Sequence, residues 1–93
     1  MSHFVYMLRC ADRSLYTGYT TDVKRRVAVH NSGKGAKYTR ARLPVRLVYF
    51  KEVSSMSEGL KLECAIKKLN KKKKEDLVRD FNLEDWLFVK SCW

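Results

Sequence analysis

The sequence predicts a single α+β domain of order ββαβα with an extra C-terminal piece. Three observations carry that prediction. Two short β-prone runs flank a polar turn near the N-terminus, a third alternating run follows at 45–53, and the stretches between and after them carry apolar residues at helical spacing. Ninety-three residues suffice for one core, and 45% hydrophobic against 32% charged residues excludes a chain disordered by composition.

Phe4-Val5-Tyr6-Met7-Leu8 and Leu15-Tyr16-Thr17-Gly18-Tyr19-Thr20, separated by Ala11-Asp12-Arg13-Ser14, read as a hairpin. Thr21 or Asp22 can cap a helix over 22–32 that places Val23 and Val27 on one face and stops at Asn31-Ser32-Gly33, where glycine suits a left-handed position. Lys34 to Arg42 is polar and basic without an apolar period and precedes Pro44, which predicts a surface loop. Val45 to Val53 predicts the third strand. Ser55 or Ser57 opens a helix with Leu62, Ile66 and Leu69 inward, and a last helix is expected over Glu75 to Asn82. Residues 1–82 thus form the domain, and 83–93, with Trp86-Leu87-Phe88-Val89, form an apolar tail. That tail either packs on the same domain or contacts a protein partner or a second copy.

Twenty Lys and Arg against ten Asp and Glu give a net charge of +10, which points to a polyanionic partner, nucleic acid above all. The charge is segregated: residues 1–74 hold eighteen basic and five acidic side chains, and residues 75–93 two basic and five acidic. Three widely spaced cysteines with no Cys-x-x-Cys pair argue against a disulfide framework and against a structural zinc site. No apolar run reaches the roughly 18 residues of a membrane span, and Met1-Ser2-His3 does not start a signal peptide, so the expected compartment is the cytoplasm.

The basic residues Lys24, Arg25, Arg26, Lys34, Lys37, Arg40, Arg42 and Arg46 follow Asp22 with no intervening acid, as a phosphate track would. Tyr38 within it can stack on an unpaired base. Lys71 to Lys74 are either a second basic patch or a solubilising helix start. Arg26 and His30 lie one turn apart beside the Val23 and Val27 stripe, at the rim of the buried surface, whereas Arg25 is expected to point elsewhere. Tyr6 and Tyr16 share a face of the hairpin only if paired residue numbers have an even sum. Gly18 reads either as a bulge or as a point where a phosphate backbone comes close. Glu63 has Lys67 at i+4, the spacing of an ordinary helix ion pair.

These residues together resemble the GIY-YIG nuclease domain, in particular its small stand-alone bacterial members. Phe4-Val5-Tyr6 stands where the family has Gly-Ile-Tyr, and Tyr16-Thr17-Gly18 where it has Tyr-Ile-Gly. Asp22 to Asn31 resembles the helix bearing an arginine and a histidine one turn later, and Leu62-Glu63-Cys64-Ala65-Ile66 the helix with a metal-binding glutamate. Phe4 and Thr17 depart from the family's Gly and Ile, Cys64 stands where related small proteins often carry tryptophan, and Tyr19 where some carry lysine.

The resemblance implies a three-stranded antiparallel sheet flanked by helices and an endonuclease dependent on one divalent cation, magnesium or manganese, held by Glu63. It implies Tyr16 as general base toward water and Tyr6 as its positioner. Arg26 then counters charge on the phosphate, and His30 orients the water or Tyr16. The expected substrate is nucleic acid, DNA first, read with little sequence specificity, with contacts from Gly18, Tyr19, Lys24, Arg25, Lys34, Lys37, Tyr38, Arg40 and Arg42. The competing expectation is a non-catalytic or partner-dependent nucleic-acid-binding module on the same fold.

Overall fold

A computed structural model describes residues 2–81. The chain runs β1 (His3–Arg9), β2 (Leu15–Thr20), α1 (Val23–Asn31), α2 (Lys37–Arg40), β3 (Arg46–Val53), α3 (Met56–Lys67) and α4 (Lys71–Arg79). The three strands form one antiparallel sheet in the order β2-β1-β3, so the most apolar strand is central and both others are edges. Among the described residues no helix is long and apolar enough to cross a membrane.

The pleat of β1 divides the core in two. Tyr6 and Leu8 project to one face, where they pack with Cys10, Val27, Val45 and Leu47 beneath α1. Val5 and Met7 project to the other and pack with Ile66, Leu62, Leu77 and Val78 of α3 and α4. A strand buried on both sides must be apolar at consecutive positions, and Val5 to Leu8 are all within 1% of full burial.

Local chemistry sets the helix ends. The Asp22 side chain accepts from the Arg25 N–H and the Ser55 side chain from the Glu58 N–H, each capping its helix. Gly33 takes the left-handed conformation after α1, with φ of 82°. Asn31, at the end of α1, donates through Nδ2 to the Val45 carbonyl (2.9 Å) and accepts the Val45 N–H at Oδ1 (2.8 Å). It thus fastens α1 to the start of β3 as a neighbouring strand would.

Two expectations need correction. The segment 34–42 is not only surface loop: it contains the single helical turn α2, whose Thr39 is fully buried. A polar anchor has no apolar periodicity, so the sequence pattern concealed it. The last helix begins at Lys71 rather than Glu75 and ends at Arg79, because Asn70 caps it by accepting the Lys73 N–H (2.9 Å) and lysines propagate a helix well. Arg9 of β1 clamps that helix through two 2.6 Å hydrogen bonds to Glu75. The expected apolar tail over 83–93 lies outside the described residues.

Replacing Asn31 by Ala strips two partners from the backbone of buried Val45. The expected cost is about 2 kcal/mol, seen as a fall in Tm of roughly 10 °C in a thermal melt; an unchanged Tm would show that this clamp does not hold α1 to β3.

Candidate active site

In the hairpin Tyr6 pairs with Gly18 and Leu8 with Tyr16, even sums that put both tyrosines on the α1 face. Their ring centroids are 6.4 Å apart. Gly18 is neither a bulge nor an opening for phosphate. It sits in regular register, and a Cβ there would stand 2.5 Å from the Tyr6 hydroxyl and 2.7 Å from Cζ. The missing side chain is the notch that houses the phenol. The sheet's irregularity lies instead between Met7 and Leu8 in the pairing with β3.

The Tyr6 hydroxyl lies 2.9 Å from His30 Nε2, and His30 Nδ1 lies 2.8 Å from Thr39 Oγ1. The Thr39 hydroxyl donates to the Ala36 carbonyl (2.9 Å). A carbonyl can only accept, and this fixes the direction of the whole series. With its one proton committed to Ala36, Thr39 must accept from Nδ1–H; the neutral imidazole then presents a lone pair at Nε2, and Tyr6 donates to it. His30 is completely buried, and burial first, then the nearby Arg26 charge, push its pKa down to about 4. Neutral imidazole is therefore its state at pH 7. The expectation that His30 orients water or Tyr16 through a hydrogen bond is corrected here: both ring nitrogens are engaged by Tyr6 and Thr39, and Tyr16 meets the imidazole only edge-on, at 5.1 Å between centroids.

Burial pushes the Tyr6 pKa up to about 12, with the negative charge of Tyr16 and Glu63 adding to the rise and a hydrogen bond from Arg26 opposing it. Tyr6, Tyr16 and His30 thus gather from β1, β2 and α1, Arg26 of α1 is a hydrogen-bond partner of the phenol, and the Glu63 charge on α3 acts on that phenol from farther off.

Glu63 arrives from the opposite side of the sheet to α1. One turn before it, Gly59 lets α3 close on β2: a Cβ at Gly59 would stand 2.7 Å from the Tyr19 ring. Glu63 and Lys67 continue the same stripe of α3 and form an ion pair of 3.2 Å, with the Glu63 side chain 18% exposed. Among the described residues no three His, Cys, Asp or Glu gather into a cage. Glu63 is a single carboxylate, which suits a hard cation that keeps most of its waters.

The expected contact residues separate into groups. Lys24, Arg25, Lys34, Lys37 and Arg40 are exposed on the side of α1 and α2. Arg25 does not diverge from Arg26: both line a cleft of about 320 Å³ over the start of α1, with Thr20, Thr21, Asp22 and Val29. Arg42 is removed from the phosphate track, since it pairs with Asp12 (2.9 Å), donates to the Tyr38 carbonyl (2.8 Å) and lies 3.9 Å over the Tyr38 ring. Tyr38 is also stacked on Tyr16 at 6.2 Å, so its ring is held in place with part of its surface still exposed. Tyr19 faces away from Tyr6 and Tyr16, held by His3 (2.6 Å) and packed on Gly59. Its place is structural. Thr39 and Gly59 escaped the sequence reading. A glycine inside a helix is a signal of close packing; a buried threonine in a basic segment leaves none.

The model of the GIY-YIG catalytic domain matches residues 2–76. A UPF0213 protein of Natronomonas pharaonis is 56% identical over 78 residues, covering 84% of this chain and 92% of that one. A UPF0213 protein of Streptococcus pneumoniae is 49% identical over 83% of this chain and 78% of its own. The solution structure of a UPF0213 protein from Bacillus halodurans superposes with a TM-score of 0.56 at 54% identity, covering 85% of this chain and 84% of that one. A solution structure from E. faecalis gives 0.58 at 46% identity over the same shares.

The unfolded chain protonates His30 near 6.5, whereas the folded one does so only near 4. Between those values the unfolded state binds more protons, so this contribution is full above about pH 6.5 and is lost as pH falls toward 4. Across that window it amounts to about 3 kcal/mol. Urea unfolding of wild type minus His30→Gln should show that slope, and a difference independent of pH would mean that His30 is not held neutral.

Proposed function

The chain belongs to the GIY-YIG catalytic domain family, and on that premise we propose that it is a cytoplasmic, divalent-metal-dependent endonuclease that hydrolyses nucleic-acid phosphodiester bonds, DNA first. The grouping of Tyr6 with Tyr16, His30 and Arg26, with the Glu63 charge acting on the same phenol, is the observation that carries this reading. Hydrolysis needs a water stripped of a proton, a counter-charge for the pentacovalent phosphate, and help for the departing oxygen. Each need has a matching group.

Arg26 is half-buried at the rim of the core, where a guanidinium can contact two phosphate oxygens and where low local polarity strengthens the attraction. Glu63 would hold a single hydrated magnesium or manganese ion, which when bound supplies charge neutralisation at the scissile phosphate. Tyr6 stays neutral, since its proton is given to His30 and its pKa stands near 12. Its oxygen keeps lone pairs for Arg26 or for a water proton, the role of a positioner. Tyr16, half-buried, forms no hydrogen bond with another described residue; once its own proton has passed to solvent, its phenolate is the group left to accept the proton of the attacking water. The water oxygen then bonds to phosphorus while the ester P–O bond opposite it breaks, and the leaving oxygen takes a proton from solvent. Contacts of this kind address the backbone rather than the bases, which supports low sequence specificity.

Purified protein with magnesium or manganese should cleave labelled DNA, tested on linear and branched substrates. Arg26→Ala and Glu63→Ala should each lower the rate by at least about a hundredfold with unchanged circular dichroism. Residual cleavage equal to wild type in both variants would withdraw the assignment, and salt-sensitive binding without metal-dependent cleavage would favour a pure binding module.

A further inference from the structure

A second feature lies beside Tyr16, along the edge that β2 forms among the described residues. There Leu15, Tyr16, Thr17, Tyr38, Lys67 and Lys74 line a cleft of about 270 Å³. Its walls come from elements far apart in sequence: Tyr38 from α2 above the sheet edge, and Lys67 and Lys74 from α3 and α4 on the opposite side. One end of the cleft is the face of Tyr16. Lys67 is ion-paired with Glu63, so the cleft and the candidate catalytic carboxylate share a boundary.

We propose that this cleft is a subsite for the phosphate next to the scissile one on the same nucleic-acid strand. The inference rests on the nuclease reading, whose scissile phosphate it places between Tyr16 and Arg26, and it adds residues that reading does not use. Lys74 is half-buried and forms no ion pair with any described residue; the adjacent Glu75 is committed to Arg9. A partly desolvated ammonium without an acid is stabilised by an arriving anion. Lys67 spends one contact on Glu63, and an ammonium has three donors, so it can hold the carboxylate and a phosphate oxygen together.

The tyrosines make the occupant a nucleotide rather than a free phosphate. Tyr38 is 39% exposed and is fixed by Tyr16, stacked at 6.2 Å, and by the Arg42 guanidinium. It therefore forms a rigid aromatic wall against which a sugar or base can pack while the phosphate reaches the two lysines. A second cleft continues past Lys74 to Lys71, Ser14 and Leu15, so the strand has a cationic exit on the same line. Lys71 and Lys74 are then part of the substrate surface, and the alternative of a merely solubilising helix start is set aside for Lys74.

The test is binding of a short fluorescein-labelled single-stranded DNA oligonucleotide in EDTA, where metal-dependent turnover is blocked, measured across a salt series. Lys74→Ala and Lys67→Ala should each bind roughly fivefold more weakly at low salt and reduce the slope of log affinity against log salt by about 0.7. Lys51→Ala removes the same charge from β3, at the far edge of the sheet, and should leave that slope unchanged. Equal slopes in all three variants and wild type would overturn the subsite, and if magnesium-dependent cleavage persisted the nuclease reading would survive that result. Conversely, slopes altered only by Lys67 and Lys74 in a protein that never cleaves would refute the nuclease and overturn the place of the cleft beside a scissile phosphate, leaving a phosphate-binding cleft alone.

Discussion

The hydrogen bond from the Tyr6 hydroxyl to His30 is the constraint on which the site depends. A phenol in the middle of a central strand would be a liability in the core without a partner, and His30 supplies one at 2.9 Å. His30 is in turn usable only because Thr39 takes its other nitrogen and the Ala36 carbonyl takes the Thr39 proton. Among the described residues no buried side-chain polar atom is left without a partner. Four residues from β1, α1 and α2 thus act as one polar unit, and the two helices are held against the strand by a route other than apolar packing.

Sheet geometry does the rest. The alternation of β1 gives α1 the tyrosine face and gives α3 the Val5 and Met7 face, so the guanidinium and the carboxylate start on opposite sides of a sheet. Both nevertheless act on the Tyr6 phenol, Arg26 as a hydrogen-bond partner and Glu63 through its charge. At Gly18 β2 has no side chain to obstruct the phenol, and at Gly59 the helix carrying Glu63 comes within contact of Tyr19. Two glycines, one in a strand and one in a helix, thus set the closest approaches on the two faces of the hairpin. Each is a local weakness in its own element, since both element types favour larger residues.

Much of this was legible in the sequence. The hairpin, the helix beginning beyond Asp22, the third strand and the Ser55 cap all follow from strong local signals, and the observed register is the even one that unites Tyr6 and Tyr16. Arg26, His30 and Glu63 were visible through order and spacing. What stayed hidden was pairing. No local pattern says that His30 serves Tyr6 rather than Tyr16, that Arg42 is consumed by Asp12 and Tyr38, or that a basic stretch buries Thr39. These are decisions about which polar groups find each other across the fold, and they leave no periodicity. The start of α4 was missed for a different reason: attention to apolar positions passes over a run of lysines, although such residues extend a helix readily.

The open rim of β2 carries one more implication. Among the described residues its outer backbone groups have no strand partner, and such an edge is the kind of template on which an extended stretch of another polypeptide can add itself, a known route to aggregation. Here Lys67, Lys71 and Lys74 stand along that rim. Two such chains meeting rim to rim would crowd ammonium groups of like sign together. The same lysines that would welcome a polyanion therefore act as gatekeepers against self-association, and neutralising them would expose the strand to its own twin.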